Sequence, residues 1–417
     1  MPGSLSIIGY GLDKAVDPAI GISPYYLAVV YAQITMPYLI FMSMTALFSG
    51  VLNTRNHFAL AAAVPIVLNL FMISALFAAG LQGWGQKLIG YFLAAAITLS
   101  GFVQMALVVW GCKKAGVKIG FKRPRLTPGV KRLVILGVPG LLSAGITQIN
   151  LLVSHSIATM EKSAASWLTY ADRLYQLPLG MIGIAMGVAL LPALSRRLRA
   201  GDQIGARTTL NRAIEIAAFL TLPAAFALAV IPQFLIGGLF ERGAFTAETT
   251  EQVALALRMF AYGLPAFVLL KILTPAFFAR EDTKTPMIFA GVSAFINVTL
   301  GVYLFFTIGF YGLALATSVA AWVNVVCLAW LLLKDESFTP DMRLLSRLPR
   351  IVLASAVMAV ALIAVATPAA NYMSGNFLKD FIVLGGVCGF GFVIYAAAAA
   401  LLQAFNMNDI RDALKRS

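Results

Sequence analysis

VALALRMFAYGLPAFVLLKILTPAFFAREDTKTPMIFAGVSAFINVTLGVYLFF (253–306) is two apolar runs joined by one short polar turn. The runs cover 253–279 and 286–306, each near the ~20 residues that a helix needs to cross a bilayer. The turn between them, EDTKTP (281–286), is too short for anything but a reversal. Nothing in the stretch alternates as barrel strands do, and a backbone in lipid must satisfy its own hydrogen bonds, so both runs are predicted as helices.

The same pattern extends in both directions. Further spans are predicted at 27–50, 59–80, 88–110, 133–155, 165–192, 213–236, 310–333, 351–370 and 381–403, making eleven. Over the 417 residues, 60% are hydrophobic and 12% charged, and the mean hydropathy is +0.87. A soluble domain carries about 25% charged residues; this chain cannot cover a water-facing globule. It reads as an all-α integral membrane protein with no separate soluble domain. The start, MPGSLSIIGYGLDKAV, lacks the basic region and compact apolar core of a signal peptide. Cys112, Cys327 and Cys388 form no CxxC and no cluster with histidine, which argues against a disulfide framework and a zinc site.

Net charge is +14, and its distribution reports orientation. One set of alternate loops (51–58, 111–132, 193–212, 280–285, 334–350 and the tail from 404) holds 23 Lys and Arg residues. The opposite set holds 5, and Arg173, Arg258 and Lys271 lie within spans. Basic loops favour the cytoplasm, so the C-terminus is expected inside and, with eleven spans, the N-terminus outside. The basic loop 111–132 could suit anionic headgroups or nucleic acid, but the positive-inside rule already accounts for it; nucleic acid is not an expected partner.

An internal repeat is visible. Pro37 to Asn69 and Pro265 to Asn297 each span 32 positions, and each pair brackets a span, a polar turn and a second span. GYFLAA (90–95) and GLALAT (312–317) open the spans that follow. Three spans precede the second unit, whereas only 26 residues precede the first, which leads to the expectation that the chain begins inside a longer protein. The organisation expected is a remainder of an N-terminal lobe (1–110), the basic loop (111–132), a C-terminal lobe (133–333), a linker (334–350), and two further spans with a tail (351–417).

FSGVLNTRNHFALAAAVPIVLN (48–69), SWLTYADRLYQLPLGMIGIAMGVALLPALSR (166–196), LFERGAFTAE (239–248) and KILTPAFFAREDTKTP (271–286) closely resemble MurJ/MviN proteins, lipid II flippases of the MOP transporter superfamily. The likeness runs in order over essentially the whole chain. It implies two pseudo-repeated lobes around a central cavity, as in MATE-type transporters, with fourteen spans in the family and the first three absent here. It implies alternating access in the bacterial inner membrane, moving the undecaprenyl-pyrophosphate-linked peptidoglycan monomer outward for cell-wall biogenesis. A large anionic headgroup crosses hydrocarbon only at prohibitive cost without a polar path. The family's first helices carry cavity arginines, so half of the headgroup site is expected to be missing from this chain.

Charges inside spans are candidate sites. Asp172 and Arg173 match the family's ADR motif. Arg173 suits pyrophosphate, and Asp172 would orient an arginine or serve the switch between states. Neighbouring helical positions differ by about 100°, so both are not expected to point straight at one lumen. Lys271 is too deep to snorkel and should face a wet cavity or a carboxylate. Arg258 stands thirteen residues earlier, about 20 Å and 220° away on an ideal helix. It shares that face only if Pro265 bends the helix, and otherwise sits at the outer interface. Glu215 is read as interfacial, Glu241 and Arg242 as solvated, His57 and His155 as structural or solvated, and Gly180, Gly183 and Gly187 as a packing face. Asp172 is expected to be the only acid deep in a span.

Some related proteins bind sodium in the C-terminal lobe. The resemblance places Asn297 and Thr317 at part of that site, but Gly301 cannot supply its carboxylate, which leaves coupling to sodium or to the membrane potential open. No other cofactor is expected. A different MOP exporter, of drugs or of an oligosaccharide-lipid, fits the motifs at 166–196 and 271–286 less well. A membrane-embedded enzyme would need a carboxylate cluster or metal ligands that the sequence does not show, and a nonfunctional fragment is the remaining alternative.

Overall fold

The structure is a computed structural model, and it describes residues 24–54, 58–117, 141, 145–146, 148–373 and 376–404. Most of the expected span 133–155, much of the basic loop 111–132, His57 and the C-terminal tail lie outside these residues. Every regular element described is helical. Nine described helices are long and apolar enough to cross a membrane. The chain divides into two units, Met1–Arg125 and Leu126–Ser417.

The first unit contains α1 (Pro24–Thr54), α2 (Phe58–Gln82) and α3 (Gln86–Lys114). α3 packs along both of the others, while α1 and α2 barely touch. The α1–α3 contact carries polar ties as well as apolar ones. Thr98 donates to the Ile34 carbonyl at 2.6 Å, and the Tyr31 hydroxyl donates to that of Lys87 at 3.0 Å. Leu52, Val64, Val108 and Cys112 form a small apolar core. Large side chains such as Ile40, Ile73 and Phe77 face outward, as lipid-facing residues do when lipid rather than water is the solvent.

The second unit begins with helical residues 148–158 (α4). α5 (Ala164–Pro178) continues through a π-helical turn (Leu179–Gly183) into α6 (Ile184–Arg199). This is the expected span 165–192, extended at its end by the arginine-rich turn RRLR (196–199). Its polar face and π turn separate it from the nine uninterrupted apolar helices. α7 (Gln203–Val230) starts ten residues earlier than its hydropathy suggests, because Asp202 caps it by accepting from the Gly205 amide at 2.8 Å. Pro232 opens α8 (Pro232–Phe240), where its missing N–H costs nothing. Next come α9 (Ala247–Phe278), α10 (Lys284–Ile308), α11 (Tyr311–Lys334), α12 (Met342–Ala370) and α13 (Phe377–Leu401).

α9 is the axis of this unit. It packs against α5, α7 and α11, and buries Val253, Leu257, Leu264, Ile272 and Leu273 among them. It passes α11 closely at Gly263, where a methyl group would collide with Ser318, whose hydroxyl donates to the Met259 carbonyl at 2.7 Å. α11 packs on both α9 and α10, while α9 and α10 barely touch. The pairing of α1, α2 and α3 is thus repeated by α9, α10 and α11, the segments that the sequence repeat aligns. α12 and α13 pack on one another, α12 on α7 and α13 on α8.

Glu215, read from the sequence as interfacial, is 1% exposed. The early start of α7 at Gln203 places it about three turns into the helix rather than at its edge. Arg212, Arg343 and Arg347 all donate to its carboxylate, and Arg212 also binds Asp341, the residue that caps α12. Buried charges need partners of this kind, and these tie α7 to α12. Asp172, itself half-buried, is therefore not the only acid deep in a helix. Glu241 and Arg242 are also anchored rather than freely solvated. Glu241 accepts from the Thr250 hydroxyl at 2.6 Å, while Arg242 donates to the Gly238 carbonyl at 2.7 Å and lies 4.7 Å from the Phe377 ring centre.

Candidate substrate-binding cavity

Within the second unit, α4, α5, α9, α10 and α11 enclose a cavity of about 1000 Å³. Three facts of sequence open it. The residues facing it from α10 and α11 are mostly small, including Ala290, Ala294, Ala314, Ala320 and Ala321. The π turn follows Pro178 directly, and such a turn shifts the helical register at one point. α9 carries Pro265 and Pro275 on either side of Lys271.

The charges in the cavity are Asp172 and Arg173 from α5 and Lys271 from α9. Asp172 and Arg173 both line the cavity, although as adjacent positions about 100° apart on the helix they do so from different angles. Gln176, one turn on, donates to the Asp172 carboxylate, and Tyr175 lines the cavity beside it. Tyr175 is itself fixed by rings of α9, stacking on Phe260 with centroids 4.8 Å apart and lying 5.5 Å from Phe267. The acid is thus held from its own helix, while Arg173 and Lys271 are exposed to the cavity.

Lys271 lies beside the π turn. A methyl group at Gly183 would stand 3.2 Å from its Cγ. The expected glycine face is therefore divided: Gly183 meets the lysine stem, whereas nothing lies within 4 Å of a methyl placed at Gly180.

Arg258 does not line the cavity. Its Nε donates to the Ala229 carbonyl at 3.1 Å, in the last turn of α7, where carbonyls lack helical partners. The helix passes Pro265 without bringing the two cations to one face.

Asn297 and Thr317 do line it. Asn297 donates to Asn150 Oδ1 at 3.0 Å and accepts from the Thr317 hydroxyl at 3.2 Å. This chain links α4, α10 and α11. Its groups are neutral and engaged with one another, and Gly301 adds no carboxylate. Among the described residues, no three His, Cys, Asp or Glu side chains gather as metal ligands would.

The cavity also contains residues that the sequence reading did not assign to it. His155 lines it and interacts electrostatically with Asp172. Gln176 was legible as the i+4 neighbour of an acid. Asn324 Oδ1 is buried there with no hydrogen-bond partner among the described residues, and a lone asparagine in an apolar run gives no periodic signal.

The fold and the motifs have known counterparts. A family model described as "Lipid II flippase MurJ" matches residues 22–383. A probable lipid II flippase MurJ of Rhizobium meliloti (strain 1021) is 43% identical over 404 residues, covering 96% of this chain and 75% of the relative. A solved structure of a lipid II flippase MurJ in an inward closed conformation superimposes with a TM-score of 0.69 at 23% identity, covering 89% of this chain and 73% of that one. An inward-facing multidrug resistance MATE transporter of the MOP superfamily gives 0.64 at 16% identity, covering 80% and 76%. At those identities the two structures speak for the fold alone, an all-helical bundle shared with them. The sequence matches speak for the family, and by them this chain belongs to the MurJ family of lipid II flippases.

Proposed function

We propose that this chain moves lipid II, the undecaprenyl-pyrophosphate-linked peptidoglycan monomer, from the cytoplasmic to the periplasmic leaflet by alternating access. The observation that carries the reading is the cavity of about 1000 Å³ with Arg173 and Lys271 exposed on its wall. Two cations that cannot reach the membrane surface need an anionic occupant or water, and a pyrophosphate supplies the charge. Arg173 offers a fork for phosphate oxygens, while Lys271 acts as a point charge. Asp172, held by Gln176, keeps Arg173 from closing onto other anions and can exchange it as the cavity changes shape. The work is binding and reorientation rather than covalent chemistry. The excess of Lys and Arg in alternate loops supports a cytoplasmic C-terminus, with membrane lipids around the helices.

The test is complementation in a bacterium depleted of its own lipid II flippase, using the chain and a version extended upstream in frame. A rescuing form should lose rescue on Arg173→Ala or Lys271→Ala, with membrane levels unchanged. Rescue by both variants would remove the assignment of these residues. No rescue by either inserted form would redirect the reading to another MOP-type substrate.

A further inference from the structure

A second pocket, of about 430 Å³, lies apart from the cavity. It is built from the end of α6 and the start of α7, the residues after α9 and the turn after α11. Arg207 and Arg280 line it half-buried, whereas Asp335 and Glu336 lie exposed. Neither guanidinium is well matched. Arg207 Nη2 stands 3.9 Å from Glu336, beyond hydrogen-bond reach, and the Glu336 side chain is 82% exposed. Arg207 Nε is buried with no hydrogen-bond partner among the described residues. Arg280 has one long bond, 3.4 Å to the Ser337 carbonyl. Burial holds the Arg280 guanidinium below its usual range; Asp335 counters this, and Arg207, a like charge, adds to it. Even so, an arginine stays charged at neutral pH.

Two guanidiniums lining one pocket with spare donors are an unfinished arrangement, since buried polar groups are normally matched. The adjacent Arg212, Arg343 and Arg347 show the contrast, because Glu215 engages all three. We propose that Arg207 and Arg280 form an anion site for a phosphate group, supplied by a lipid headgroup or by free phosphate. The guanidinium fork suits phosphate oxygens, and Glu336 is the competitor that such an anion displaces. Arg280 directly follows α9, the helix that carries Lys271. An anion here ties the end of that helix to the turn after α11.

The site is tested by binding, independently of any transport activity. The purified full chain is placed in phosphatidylcholine nanodiscs and titrated with inorganic phosphate, with thermal unfolding and calorimetry as readouts. A parallel set of nanodiscs contains phosphatidylglycerol, and native mass spectrometry reads the retained lipid. We expect saturable binding that weakens about tenfold or more in Arg207→Gln and Arg280→Gln, the loss of a charge-assisted hydrogen bond. Glu336→Gln should bind more tightly, a gain that a purely structural ion pair would not give. Phosphate binding identifies the free anion, and lipid retention with the same variant dependence identifies the headgroup. Absence of both in folded wild type and in Glu336→Gln overturns the proposal. So does binding that survives both arginine variants but is lost in Arg173→Ala, which would place the anion in the cavity.

Discussion

Gly183 in the π turn and Lys271 in α9 meet so closely that a methyl group on the glycine would stand 3.2 Å from the lysine Cγ. The stem of Lys271 therefore runs along a helix surface that has no side chain at that point. Gly183→Ala should displace the stem by a few tenths of an ångström, and Gly183→Val by more. Alanine also favours helix by about 1 kcal/mol over glycine, so the first variant should hold or gain thermal stability while rescue of growth falls. The two readouts moving apart is the signature of a positioning role; if they fall together, Gly183 serves packing only.

Arg258 and Lys271 occupy one helix but have different work. Arg258 binds the Ala229 carbonyl at the end of α7, where a cation also complements the helix dipole. Arg258→Gln should cost about 1 kcal/mol of stability and leave rescue intact at normal membrane levels. Lys271→Ala should do the reverse. Loss of rescue by a well-folded Arg258→Gln would return Arg258 to the transport path.

The contrast shows what the sequence could and could not yield. Helices were legible because apolar runs of ~20 residues leave little choice in a bilayer, and the repeat predicted the recurring pairing of three helices. Intramembrane charges marked Asp172, Arg173 and Lys271 as candidates because charge there is rare. Hydropathy could not say which face of α9 each cation takes, since that depends on the helix path past Pro265. Nor could it place Glu215, because partners 128 and 132 residues away, Arg343 and Arg347, turned an apparent interfacial acid into a buried one.

Glu215 is the fixed point of that cluster. Removing it leaves three guanidiniums around an empty centre, and breaking a buried ion pair from one side costs about 3–5 kcal/mol. Glu215→Ala should lower the unfolding temperature in detergent markedly and reduce the amount of protein in the membrane. Transport per folded molecule should change little, because the residue does not line the cavity. Normal stability in Glu215→Ala would mean that the arginines find other partners and that the α7–α12 tie does not depend on this acid.

Asn297 is 4% exposed and occupied on both sides of its amide, by Asn150 and by Thr317. A cation there would have to break one of these bonds and would find no carboxylate, because position 301, one turn on, is glycine. Transport by the native chain should therefore run equally fast when potassium replaces sodium at constant ionic strength. The complementary variant is Gly301→Asp. Its side chain would start 3.3 Å from Leu313 Cδ2, placing a carboxylate against apolar surface, which is costly unless a counter-ion joins it. Gly301→Asp should unfold at a lower temperature than the native chain in potassium and recover part of the difference in sodium. Sodium dependence in the native chain would show instead that the Asn150–Asn297–Thr317 link opens to a cation, and that neutral oxygens suffice to hold it.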